Sequence, residues 1–174
     1  NDDSIDEISK KIKTKNGMIL HSSGTKGKDA LSNHLNFGVF YPLQTFSFNK
    51  KIDFTRTPIL IEGNSEKSLE KLKKLCQKME VEFEEVDSKK RLHYHLAASF
   101  ANNFTNHILS LTDELVNKFK LEKKFFIPIA NETFKKFQSN KSKESQTGPA
   151  VRNDVKTLKK HEEILKKSNY LNIF

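Results

Sequence analysis

Cysteine occurs once, at Cys76, which excludes an internal disulfide and a cysteine-built metal cluster. Proline and glycine are sparse, at 4 and 6 residues, and collagen-like or mucin-like patterns are absent. No run of about 18 apolar residues exists, so neither a membrane span nor a membrane partner is expected. Arginine is nearly missing as well: of 31 basic side chains, 3 are arginine. A formal net charge of +9 attracts polyanions. A specific nucleic-acid site, however, usually employs arginine with interleaved aromatics. Here the lysines are spread over every segment, and most of the 14 phenylalanines fall at core spacing. No nucleic-acid partner is expected. Several chemical signatures are also missing. There is no P-loop spacing, no His-Glu-x-x-His stretch, and no glycine two residues before Ser22 or Ser23 to make a nucleophile elbow. Neither a metal site nor serine hydrolysis is expected.

The 174 residues, 35% of them apolar, are enough to bury about two thirds of the unfolded surface. Asp3 or Ser4 can cap a first helix with Ile5, Ile8 and Ile12 on its apolar face. Short strands are expected at 18–20, 37–40, 58–62 and 81–86. A short helix over 28–33 and a helix capped by Ser65 lie between them. Leu69, Leu72, Leu75, Cys76 and Met79 form the buried stripe of the second helix. Strands alternating with helices define an α/β sheet. The pattern changes near Asp87. Residues 89–119 contain no Gly or Pro and repeat apolar residues every three or four positions, predicting one helix of roughly 30 residues. Further helices are expected over 122–137, with Pro128 interrupting the start, and from Thr147-Gly148-Pro149 through Lys167, with a polar loop over 140–146 between them. The expected domains are residues 1–87 and residues 88–174, the second all helical.

Three places can carry chemistry. His21 follows three apolar residues at the end of a strand, where open α/β sheets bind ligands. Ser22, Ser23 and Gly24 then offer hydroxyls and close backbone approach. A strand-capping histidine held by hydrogen bonds is the structural alternative. On the long helix, His95, Ser99, Asn102, Asn103, Asn106 and His107 form a polar stripe that can line a cleft or a helix interface. In the second half, Thr147, Arg152 and Asp154 surround a presumed helix start that can receive an anionic group. A helix cap with a nearby ion pair fits the same residues.

Four segments occur in one order: His21-Ser22-Ser23-Gly24; Gly38 through Phe46; His95-Leu96-Ala97-Ala98 with Asn103; and Thr147 through Asp154. Together they resemble the Rossmann-like proteins with a C-terminal DUF2520 domain. That family is similar in architecture to pyrroline-5-carboxylate reductase and to reductases passing hydride between NADP and a deazaflavin. The resemblance implies a partial Rossmann-like sheet followed by a helical domain that forms a homodimer. It further implies a cytoplasmic oxidoreductase using NADP or NAD on a small, anionic substrate. A noncatalytic dinucleotide-binding or structural dimeric protein is the alternative. On this reading His21, Ser22, Ser23 and Gly24 border the cofactor. His95 and Asn103 serve catalysis, while Thr147, Arg152 and Asp154 bind substrate. The family's Gly-x-Gly-x-x-Gly turn does not occur here, and the chain opens without Met. Roughly 70–80 residues carrying the pyrophosphate site are therefore expected to precede Asn1. The C-terminal residues 171–174 are expected to stop within the family's last helix. Tyr41 stands where many members carry histidine, so no proton-transfer role carries over to it; tyrosine can still hydrogen-bond.

Overall fold

The computed structural model describes residues 1–47, 51–139, 144 and 146–166. The chain divides into two compact units, Asn1–Thr105 and Asn106–Phe174. The first holds strands β1 (Ile19–His21), β2 (Phe37–Pro42), β3 (Ile59–Gly63) and β4 (Phe83–Glu85), with helices α1 (Ile5–Lys11), α2 (Glu66–Lys78) and α3 (Ser88–Ala98). The strands lie in chain order in one mixed sheet. β1 pairs parallel with β2, β2 antiparallel with β3, and β3 parallel with β4.

The register sorts the side chains onto two unlike faces, because strand residues alternate and paired residues share a side. One face carries Leu20, Phe40, Ile59, Ile61 and Phe83. It packs on α2 through Leu69, Leu72 and Cys76, with Val81 and Met79 completing the core. Each fully buried aliphatic side chain here contributes about 1.5–3 kcal/mol. Cys76 is wholly buried, and burial pushes its thiol above the ordinary range. The other face is mixed: His21, Val39 and Glu62 form one row across three strands, with Tyr41 two residues beyond Val39 and Glu84 opposite Leu60; Phe37, Val39 and Leu60 are its buried apolar residues.

Local chemistry explains the helix starts. Ser65 accepts from the Ser68 amide to cap α2, and Asp87 accepts from the Lys90 amide to cap α3. Several expectations are corrected. Ser4 occupies the N-cap position of α1, but its side chain makes no capping hydrogen bond; a 3-10 turn over Asp2–Ser4 precedes the helix. Its buried residue is Ser9, 1% exposed, while Ile8 is 53% exposed. Ser9 Oγ donates to Asn33 Oδ1 at 2.5 Å, so this face is docked by polar contacts. The short helix expected over 28–33 is a 3-10 turn, Lys28–Leu31. The long helix expected over 89–119 is three consecutive elements: α3, a π-helical stretch Ser99–Phe104, and α4 (Thr105–Lys118). The wider π pitch lets Thr105 Oγ1 donate to the Phe100 carbonyl five residues back, at 3.2 Å. Apolar periodicity alone does not register one such insertion.

In the second unit, α5 (Ile127–Gln138) begins with Pro128 in its first turn, where the missing amide costs nothing. The expected final helix does not start at Thr147. Gly148 has φ +118° and Asn153 φ +51°, so residues 147–153 turn, and α6 (Val155–Leu165) begins after Asp154. Most of the loop expected at 140–146, the Lys167 end of the last helix, and residues 171–174 lie outside the described residues. No helix among the described residues is long and apolar enough to cross a membrane.

The closest packing in the sheet is at Gly38. A Cβ there would fall on the Glu62 carbonyl oxygen of the paired strand, inside contact distance, and backbone cannot yield as a side chain can. Gly38→Ala is therefore expected to cost about 3 kcal/mol or more, read as a lower urea midpoint; an unchanged midpoint would contradict this register.

Candidate functional site

The turn after β1 is built from its own side chains. His21 is buried, and its Nδ1 accepts from the Ser23 amide at 3.2 Å. That acceptance leaves the proton on Nε2, which donates to the Gly27 carbonyl at 3.1 Å. Burial holds the imidazole below its ordinary pKa of 6.5, against the Gly27 hydrogen bond, which favours the cation. Ser23 is buried too. Its hydroxyl donates to Asp2 Oδ2 at 2.6 Å and accepts from the amides of Thr25 and Lys26. Thr25 Oγ1 also donates to Asp2, at 2.7 Å. These bonds hold the Asp2 carboxyl below its usual range. His21 and Ser23 thus shape the loop from within, and Ser22 is its exposed hydroxyl.

Beneath the loop lies an ion pair. Arg91 of α3 is 0% exposed. Its Nη1 donates to Glu62 Oε2, and its Nη2 donates to the Lys26 carbonyl at 2.5 Å. Lys28 Nζ and Ser88 Oγ donate to the same carboxylate, at 2.8 and 2.9 Å. Burial alone would raise the Glu62 pKa; the bonds from Lys28, Arg91 and Ser88 outweigh it and bring the carboxyl below 4.5. Arg91 Nε is buried without a hydrogen-bond partner, a cost the rest of the network offsets. Sequence reading passed over Asp2, Glu62 and Arg91. The available signals were a charge ending the run Ile59-Leu60-Ile61 and the scarcity of arginine.

One turn further along α3, His95 meets the sheet. Its Nδ1 lies 3.0 Å from the Tyr41 hydroxyl, with the rings edge to face at 6.1 Å. Gly24 packs directly on this imidazole; a Cβ on Gly24 would sit 2.5 Å from His95 Nδ1. The four-residue turn, Tyr41 and His95 therefore come together. Asn103 lies in the π-helical stretch, exposed, accepting from Asn102 Nδ2 at 2.9 Å; no described hydrogen bond joins it to His95. The remaining predicted residues belong to the second unit. Asp154 caps α6, its Oδ1 accepting from the Thr157 amide at 3.2 Å and its Oδ2 from the Thr157 hydroxyl at 2.8 Å. Those bonds hold its carboxyl below the usual range. Arg152 and Thr147 are exposed in the turn before α6, so they do not stand at a helix start as expected.

A cleft of about 430 Å³ opens at the carboxyl end of β1, lined by Asp2, Ile5, Leu20, Ser22, Phe40 and Leu75 among others. His21 and Ser23 line it as well, whereas Tyr41 and His95 do not: Tyr41 lies on the opposite sheet face from Phe40, and His95 packs against Gly24. This edge suits the nicotinamide and ribose end of a dinucleotide. It joins an apolar wall to a free hydroxyl and a carboxylate at the end of a parallel strand. The pyrophosphate end requires a glycine-rich turn that the sequence does not contain. No cluster of metal-ligating side chains exists among the described residues.

The DUF2520 family profile, a domain of unknown function, matches residues 57–174, and the chain belongs to that family. A crystal structure from Bacteroides fragilis, described as a "putative NADP oxidoreductase", is 33% identical with a TM-score of 0.84. The match covers 94% of this chain and 63% of that protein, so the chain spans less than two thirds of its relative's length. A Thermotoga maritima protein, 20% identical, shares the fold with a TM-score of 0.76 over 99% of this chain and 70% of its own. No curated protein matches. The Rossmann-like sheet followed by helices is thus established for this chain.

Acidity should act on this site in two steps. His21 and Glu62 both have lower pKa values folded than unfolded, so the unfolded chain binds more protons in each window and stability falls on acidification. Stability is expected to be level above pH 6.5, to fall below it as His21 is protonated, and to fall again below 4.5 as Glu62 is. Urea midpoints across pH check this. His21→Gln should remove the first step and keep the second.

Proposed function

We propose that the protein is a nicotinamide-dinucleotide-dependent oxidoreductase acting on a small molecule. The observation that carries the reading is the turn Ser22–Gly24 at the carboxyl end of β1, bordering a cleft and touching a histidine of α3, in a chain 33% identical to a protein described as a "putative NADP oxidoreductase". When bound, the dinucleotide supplies the hydride chemistry. The chain's own residues supply the rest. Leu20 and Phe40 give the ring an apolar wall that keeps water away, and Ser22 meets a polar edge. His21, Ser23 and Gly24 hold that turn in shape. His95 keeps an imidazole beside it, and Asn103 offers an amide from the π-helical stretch. Arg152, exposed in the second unit, offers a guanidinium that can meet a carboxylate or phosphate with two hydrogen bonds.

The reading includes a homodimer through the helical part. Phe125, Ile129, Phe134 and Phe137 are exposed there, more apolar surface than a lone helical unit usually shows to water. A second copy presenting the same face would cover it.

Calorimetry with NADP, NADPH and NADH on the full-length chain tests the reading. Binding of one of them is expected, weakened about tenfold or more by Gly24→Val, which displaces His95 and the turn. Absence of binding by all three contradicts it. Light scattering at micromolar concentration should give twice the chain mass; a monomer would remove the dimer.

A further inference from the structure

His21 is bonded in a way that only the neutral ring allows. Its Nδ1 accepts from the Ser23 amide at 3.2 Å, and its Nε2 donates to the Gly27 carbonyl at 3.1 Å. A charged imidazole carries a proton on both nitrogens and accepts nothing. Its Nδ1–H would face the Ser23 N–H, donor against donor, and the amide would lose its acceptor. From Ser23 the change has a way to spread. The Ser23 hydroxyl donates to Asp2 Oδ2 at 2.6 Å and accepts from the Thr25 and Lys26 amides.

The bond to Asp2 ties the turn to α1. Every hydrogen bond and ion pair described from residues 1–12 to the rest of the first unit ends on residues 23–34. At one end, Ser23 and Thr25 hold Asp2; the exposed Asp6–Lys26 pair at 2.5 Å adds little. At the other end, Asn33 and His34 hold Ser9. The two histidines of this fixture respond to acid in opposite ways. His34 Nε2 lies 3.1 Å from the Ser9 carbonyl, which can only accept. That nitrogen therefore carries a proton in the neutral and the charged ring alike, and its bond survives. The His21 Nδ1 bond does not. Acid thus loosens α1 at Asp2 and leaves it pinned at Ser9. Asp2 and Ile5, at the loosened end, line the cleft together with His21, Leu20 and Phe40.

Charged groups face His21 from three elements: Asp2 ahead of α1, Glu62 of β3 and Arg91 of α3. Burial is the largest influence and favours the neutral ring, with Arg91 acting in the same sense; the Gly27 hydrogen bond, Asp2 and Glu62 favour the cation. Lys28 and Arg91 both pair with the Glu62 carboxylate, and His95, against Gly24, is bonded to Tyr41. The ring therefore titrates below 6.5. Asp2 is still ionised there, because its bonds to Ser23 and Thr25 hold its carboxyl below the usual range.

We propose that the neutral imidazole of His21 latches the Asp2 end of α1 over the cleft, and that protonation of the ring releases that end and reshapes the cleft wall. The latch is a property of the turn and stands whatever ligand the cleft takes.

The test is an NMR titration of the full-length protein, 15N-labelled and 13C-labelled at isoleucine methyls, from about pH 7.5 to about pH 5. The His21 ring, the Ser23 and Thr25 amides and the Ile5 methyl are expected to shift with one midpoint below 6.5, while the Ile61 methyl of the core stays still. Exchange of the Ser23 amide should quicken about tenfold or more across the same midpoint. His21→Gln supplies an acceptor and a donor without a titrating charge, so it should keep the turn and abolish the response. Asp2→Ala leaves His21 in place and should give the Ile5 methyl its acid position already at neutral pH. A His21 ring that titrates while Ser23 and Ile5 stand still overturns the proposal. So does a ring still neutral at the acid end, a response that persists in His21→Gln, or an Ile5 signal unmoved by Asp2→Ala.

Discussion

A guanidinium taken out of water needs acceptors for its donors, and the two Nη groups of Arg91, though not its Nε, find them on two other parts of the first unit. Its Nη1 reaches Glu62 on β3, and its Nη2 reaches the Lys26 carbonyl in the turn after β1. One side chain thereby sets the distances among helix, sheet and turn. Ion pairs of this kind are not strong sources of stability, because desolvation offsets most of the attraction. Removing one partner is another matter and costs about 3–5 kcal/mol, since the other charge is left buried. The pair therefore specifies position more than it adds stability.

The rest of the site depends on that position. The turn is internally satisfied through His21, Ser23 and Asp2, but those bonds say nothing about where α3 lies. Arg91 supplies that information, and one turn later His95 comes against Gly24 and Tyr41. The sheet divides the labour by its pleat. Leu20, Phe40, Ile59 and Ile61 hold the core with α2, while Glu62 and Tyr41, from the same strands, serve the other side. A shift of one residue in the pairing would exchange the two sets.

Much of this was legible in the residues. Alternating short strands and helices foretold the α/β sheet, Ser65 foretold its helix start, and the turn at His21 was found where a strand ends. What remained hidden was of two kinds. Long-range polar pairing has no local signature, so nothing in the neighbourhood of Arg91 announces Glu62, 29 residues away. Backbone departures were hidden as well. The π-helical stretch at Ser99–Phe104 keeps the apolar residues close to helical spacing, and the turn at Gly148 and Asn153 displaces α6 from the proline that would suit its start. Asp154 was found as a polar residue near a helix start, and the structure gives its carboxylate to the cap.

Arg91 holds the turn through the Lys26 carbonyl, and amide hydrogen exchange reads that turn directly. The Ser23, Thr25 and Lys26 amides all bond to side chains within it. Arg91→Lys keeps the charge but removes the planar fork that reaches two acceptors at once. The prediction is that these three amides lose protection in the variant while the Ile61 amide of β3 keeps most of its own. Unchanged protection at Ser23, Thr25 and Lys26 in a folded Arg91→Lys protein would contradict the account.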